Sequence, residues 1–214
     1  MVGATMDDMS AAPDMRPAAK HDAAVDLYWI PLGAGAHVVR ISGELFEIAS
    51  ALAGRRARSK LYHSALVIAV PEGQFVIEQA PVPGRPDEQR GVVAEGPVGL
   101  RCLRRFRAFR YEIRRWRDGQ IPDIDQAIAS PVRLTEDAAV ARRILDVLPS
   151  IPTPVWGRDD LGTGEMWNSN SVISWVLVRG GADITTIHPP VNGRAPGWNA
   201  GVAVAARRAG HEDA

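Results

Sequence analysis

The sequence predicts an α+β fold, a small antiparallel sheet packed on helices. Three observations predict it. Two apolar, β-branched runs at 61–70 and 75–80 flank the turn signal Pro71-Glu72-Gly73-Gln74, which reads as a hairpin. At 135–148, Ala139, Ala141, Ile144, Leu145 and Leu148 recur at helical spacing between the cap types Thr135-Glu136-Asp137 and the stop Pro149. At 164–177 a polar, Gly-punctuated loop turns into a helix that is apolar on most sides, and such a helix is buried.

The 214 residues suffice for one domain with a sizeable core, or one domain plus tails. The expected division is a disordered leader at 1–24, a single domain at 25–199 and a loose tail at 200–214. Lys+Arg and Asp+Glu both number 25, so no global charge draws the chain to nucleic acid or membrane, and nucleic acid is not an expected partner. No window of about 18 apolar residues exists to span a bilayer, and residues 1–24 lack the apolar run of a signal peptide. The single cysteine, Cys102, excludes an internal disulfide and a Cys-based zinc site. It fits a reducing compartment, so a cytoplasmic protein is expected. Asp26, His37 and His188 have no metal-ligand spacing, and neither metal nor cofactor is expected.

Taken in order, Asp26 to Leu32 is a short strand ended by Pro31. Gly33-Ala34-Gly35-Ala36-His37 is a turn, since it lacks the spacing and the Lys of a phosphate loop. A strand follows at 37–41. A helix is expected at 44–58, with Leu45, Ile48, Ala49 and Leu52 on one face and three Arg in its last turn. After the hairpin come a Pro/Gly-rich loop at 81–90 and a short strand at 91–94. Residues 101–117 hold eight Arg interleaved with Phe106, Phe109, Tyr111, Ile113 and Trp116. Basic and aromatic interleaving can mark an RNA-binding strip, or a strand with a buried aromatic face and a solvated Arg face. Neutrality of the whole chain favours the strand. The helix that begins near Asn168 ends near Gly180-Gly181, and residues 183–198 form a Pro/Gly/Asn-rich coil.

Three polar residues stand out against apolar surroundings: His63 and Glu78 on the hairpin strands, and Ser169 at the start of the buried helix. The unbonded N–H groups and the dipole of a helix start favour a developing negative charge, which suits a nucleophile there. Ser169 would then attack, with His63 as general base and Glu78 orienting the ring. Each has a second reading. Ser169 can be a helix cap, His63 a half-buried strand residue, and Glu78 a solvated position on an alternating strand. A turn at 72–73 pairs positions that sum to about 145, which places His63 near 82 rather than opposite Glu78. Trp167, Asn168 and Asn170 flank Ser169 as candidate substrate contacts, and Arg158 or Asp159 can lock the loop before the helix.

His63-Ser64-Ala65-Leu66-Val67, then Phe75-Val76-Ile77-Glu78, with Asn168-Ser169-Asn170-Ser171-Val172 far downstream, resembles the circularly permuted papain-like hydrolases. These include the NlpC-type, PPPDE and lecithin:retinol acyltransferase-like groups. The resemblance covers residues 60–180. It implies a permuted papain-like arrangement and a hydrolase or acyltransferase acting on an amide or ester of a small molecule, peptide or lipid. It places Ser169 where the family carries its nucleophilic Cys. A hydroxyl needs a stronger base partner than a thiol, so the departure leaves a second reading open: a catalytically inactive binding protein that keeps the cleft.

Overall fold

The computed structural model describes residues 22–32, 60–82, 90–121 and 123–212. The strand expected at 37–41, the helix at 44–58 and nearly all of the leader lie outside the described residues. The described fold is α+β. Its sheet comprises β1 (Ala24–Pro31), β2 (Lys60–Val70), β3 (Gly73–Pro81), β4 (Val92–Pro97), β5 (Arg110–Arg117), β6 (Val132–Thr135) and the two-residue β7 (Gly193–Arg194). Six strands run antiparallel in the order β4-β5-β3-β2-β1-β6, and β7 pairs with the start of β2 in parallel. Three helices are described: α1 (Ala138–Val147), α2 (Ser169–Arg179) and α3 (Trp198–Glu212).

The helices share one face of the sheet. The alternate residues Tyr62, Leu66, Ile68 and Val70 of β2 join Leu27, Trp29, Ile77 and Ile113 in a core closed by Ile144 of α1, Ile173 of α2 and Val204 of α3. Burial of that one face is the main force holding the layers together. A smaller cluster sits on the opposite face, where Ile30, Ala65 and Val76 meet Ile121, Ile124 and Ala127 of the segment after β5.

α2 runs alongside β2 in the same direction. At its start Asn170 bonds the Tyr62 carbonyl (3.0 Å). At its end Gly180 accepts from Arg143 of α1 (3.1 Å), while the neighbouring Arg142 reaches Glu72 in the β2–β3 turn (2.9 Å). α3 crosses α2 closely. A Cβ at Gly201 would strike the Ser171 carbonyl and the Ser174 hydroxyl, and Ser174 Oγ donates to the Trp198 carbonyl (2.7 Å). Glycine at 201 is therefore what lets the two backbones approach. Residues 200–212, expected as a loose tail, instead form most of α3, because small residues such as Ala200 and Ala205 bury against α2 and the core.

The Arg-rich strip also differs from expectation. Only Arg110–Arg117 is strand, and residues 101–109 form two 3₁₀ turns, Arg101–Arg105 and Arg107–Phe109. Phe106 and Phe109 face solvent, whereas Arg114 is buried. Successive three-residue turns replace the two-residue alternation of a strand, so the apolar residues of 101–109 do not share a strand's inner face.

Candidate functional site

The first turn of α2 is closed by its own polar run. Asn168 is the N-cap, and its Oδ1 accepts from the N–H groups of Asn170 (2.9 Å) and Ser171 (3.4 Å). Ser171 Oγ accepts in return from the Asn168 N–H (3.1 Å), completing a capping box. The loop before α3 seals this start from the side. Ser171 Oγ donates to the Gly197 carbonyl (2.7 Å), and Asn168 Nδ2 to the Pro196 carbonyl (2.8 Å). Gly197 has φ +86°, and a Cβ there would lie 2.5 Å from Asn168 Oδ1, so this seal requires glycine. Glu165 fixes the same loop by accepting from the Gly197 N–H and Asn199 Nδ2, both at 2.9 Å.

The loop that leads into α2 is locked by Asp159. Its carboxylate accepts from the N–H groups of Thr163 (2.7 Å) and Gly164 (2.9 Å). Those backbone donors hold the Asp159 carboxyl below the usual range. Trp167 closes the loop through its backbone, with its N–H to the Arg158 carbonyl (2.9 Å) and the Gly157 N–H to its carbonyl (2.8 Å).

Asn170 reaches from this helix start to the sheet. The β2–β3 ladder ends at Leu66 and Ile77. Beyond that point Asn170 Nδ2 donates to the carbonyls of Tyr62 (3.0 Å) and Pro196 (2.9 Å), and its Oδ1 accepts from Ser64 Oγ (2.9 Å). Ser169, the first helical residue, is nearly buried, and neither its hydroxyl nor its N–H bonds a described residue.

The three expected catalytic residues do not converge. Ser64 faces α2, and side chains alternate along a strand, so His63 points to the other face of β2. Its cross-strand partner is Ile30, a member of the second cluster, and the charged group that acts on its ring is Asp123 from the segment covering that cluster. Burial lowers the imidazole from 6.5 to about 4, with Asp123 opposing the shift. The sheet thus stands between His63 and Ser169.

Glu78 shares the His63 face, since it follows Val76 by two residues. One step past the last ladder pair it falls opposite Ala65, not His63. It belongs to a buried ion chain: Glu78 accepts from Arg114 Nη1 (2.5 Å), while Glu112 Oε1 accepts from Arg114 Nε (2.5 Å) and Arg90 Nε (2.8 Å). Burial nevertheless raises the Glu78 carboxyl, because loss of hydration outweighs the attraction of Arg114.

Of the expected substrate contacts, Asn168 and Asn170 have their amides engaged inside the protein, and Trp167 is a core side chain. Sequence reasoning passed over two polar residues on the helix-facing side of the sheet. Ser64 occupies the strand position facing the helix start. Gln79, on the helix-facing side of β3 beside Ile77 and opposite Ile113, is 6% exposed, and neither end of its amide has a partner among the described residues. A polar residue within a strand's inner face was the available signal for both. Near the start of α2 the groups with no partner among the described residues include the Ser169 hydroxyl and N–H, the Gln79 amide and the Trp167 indole N–H, and none of them is a titratable base.

No protein-family model, curated protein or solved structure matches this chain. Among the described residues, no helix is long and apolar enough to cross a membrane, and no group of His, Cys, Asp or Glu is arranged to hold a metal.

Proposed function

We propose that the chain is a non-hydrolytic binding protein on a permuted papain-like framework, its cleft at the Ser169 end of α2. The observation that carries this reading is the orientation of β2: Ser64 rather than His63 faces the helix start, and the Ser64 hydroxyl is bonded to Asn170. A serine hydroxyl titrates far above neutral pH and attacks only when a base removes its proton. His63, half-buried on the far face, is not available for that task. The framework itself is supported by the order of elements, with the hairpin strands that carry His63 and Glu78 first and a helix-borne Ser downstream.

The ligand fits an amide or carboxylic acid, because Gln79 offers one donor and one acceptor side by side and the Ser169 N–H and hydroxyl add two more groups. The expectation of a cytoplasmic protein is supported by Cys102, an exposed free thiol.

The hydrolase reading keeps one observation in its favour: the Ser169 hydroxyl and N–H are both unbonded. The two readings separate in a Ser169→Cys variant made in a Cys102→Ala background. With no imidazole nearby, alkylation by iodoacetamide follows the same pH profile whether or not His63→Leu is added. A plateau of reactivity down to about pH 5 that His63→Leu abolishes would instead mean a thiolate–imidazolium pair, and the binding reading would fail.

A further inference from the structure

The segment from Leu100 to Phe109 stands off the body of the protein: all residues of 101–109 except Leu103 are exposed. Three carbonyl-to-amide bonds fold it into successive three-residue turns, Leu103 N–H to Leu100 (3.1 Å), Phe106 N–H to Leu103 (2.9 Å) and Phe109 N–H to Phe106 (3.0 Å). A fourth bond, Val98 N–H to the Phe109 carbonyl (2.8 Å), closes the loop at its base. In such turns residues three apart fall on one edge. The sequence follows that period. Leu100, Leu103, Phe106 and Phe109 make an apolar series, and Arg101, Arg104, Arg107 and Arg110 a cationic one.

Leu100 is 49% exposed, Phe106 48% and Phe109 41%, a cluster of large apolar side chains that a soluble surface normally avoids. No acidic residue lies between Val98 and Tyr111. Arg101 and Arg110 pair with Asp160 (3.1 Å) and Glu95 (2.9 Å), whereas Arg104 and Arg105 pair with no acid among the described residues. Arg105 lies over the Phe106 ring (4.7 Å).

We propose that this loop docks the protein on an anionic lipid surface, with Leu100, Phe106 and Phe109 entering the headgroup region and Arg104 and Arg105 meeting lipid phosphates. Charge complementarity selects the anionic partner, and the apolar edge selects a bilayer over bulk solvent. RNA is the competing occupant. The observations favour lipid, because Leu100 is as exposed as the phenylalanines yet offers no face for a base to stack on, and one face of Phe106 is already covered by Arg105. The loop is tied to the proposed cleft: Val98 bridges to Trp156, and Arg101 and the Val155 N–H share Asp160 at the entrance of the 156–167 loop. Docking therefore sets the approach to the Ser169 helix beside the lipid surface, although the docking itself does not depend on what the cleft binds.

The test is sedimentation of the full chain with phosphatidylcholine vesicles, with and without phosphatidylglycerol. Expected is binding to the anionic vesicles only, weakened about tenfold or more by Phe106→Ser/Phe109→Ser and by Arg104→Ser/Arg105→Ser. Both double variants change exposed side chains, and their melting temperatures check that they fold. An environment-sensitive fluorophore on Cys102, the one cysteine of the chain, reports where contact occurs, and its emission shifts to the blue when the anionic vesicles bind. Equal binding to neutral vesicles, sedimentation without a fluorophore shift, or indifference to both double variants overturns the proposal. So does binding of single-stranded oligouridine by a protein that leaves anionic vesicles in the supernatant.

Discussion

Acidification should destabilise the fold through His63, and the effect can be isolated by replacing His63 with Leu. The imidazole titrates at about 4 in the folded protein against an ordinary 6.5. Above pH 6.5 neither folded nor unfolded chain protonates it, and its contribution to stability is complete. As the pH falls from 6.5 towards 4 the unfolded chain takes up a proton that the folded chain refuses, so stability falls across that window. The difference corresponds to about 3 kcal/mol at full burial. His63 retains some solvent contact, so the measurable part is on the order of 1–2 kcal/mol. Glu78 acts with the opposite sign: its raised carboxyl makes the folded chain bind a proton more readily, and acidification stabilises it. Because Glu78 is present in both proteins, its effect cancels in the comparison. Urea unfolding of wild type and His63→Leu at intervals from pH 7.5 to pH 4 should show wild type losing stability relative to the variant, mostly below pH 6.5. Parallel curves across that range, or a His63 ring that titrates near 6.5 by NMR, would refute the buried placement opposite α2.

Two further substitutions probe the interior. Gln79→Leu should raise stability by about 1–3 kcal/mol, because it removes a buried amide with no partner among the described residues. A loss in urea unfolding would mean that the amide is bonded within the fold and not held open for a ligand. Glu78→Leu alone should cost about 3–5 kcal/mol by leaving Arg114 to share Glu112 with Arg90, and adding Arg114→Met should recover most of it, since the Arg90–Glu112 pair stays neutral. A double variant no more stable than the single one would show that the ion chain holds more than its own charges.

Much of the fold is legible in the sequence where one period dominates. The β2–β3 hairpin follows from its turn, and the start of α2 from the Asn168–Ser171 polar run, which forms the capping box itself. The face of β2 is not legible. Residues 61–70 are apolar at both parities because both faces of the sheet are covered, so period two gives no sign of which side carries His63. A slip of one residue exchanges His63 for Ser64, and with it a catalytic reading for a binding one. The helix at 198–212 reads as a loose tail because Ala200, Gly201 and Ala205, which pack against α2 and the core, are small, and small residues read as loop until a partner helix is known to lie against them. The turns at 101–109 carry period three, which falls between the templates for strand and helix.

A binding role for the Ser169 end of α2 requires that the Ser169 hydroxyl is not activated. The direct measurement is labelling of the wild-type protein by a fluorophosphonate, beside Ser169→Ala and His63→Leu. A serine with no base on its side of the sheet leaves all three proteins unlabelled. Labelling of wild type that disappears in Ser169→Ala and in His63→Leu would show a working Ser–His pair and contradict the binding reading.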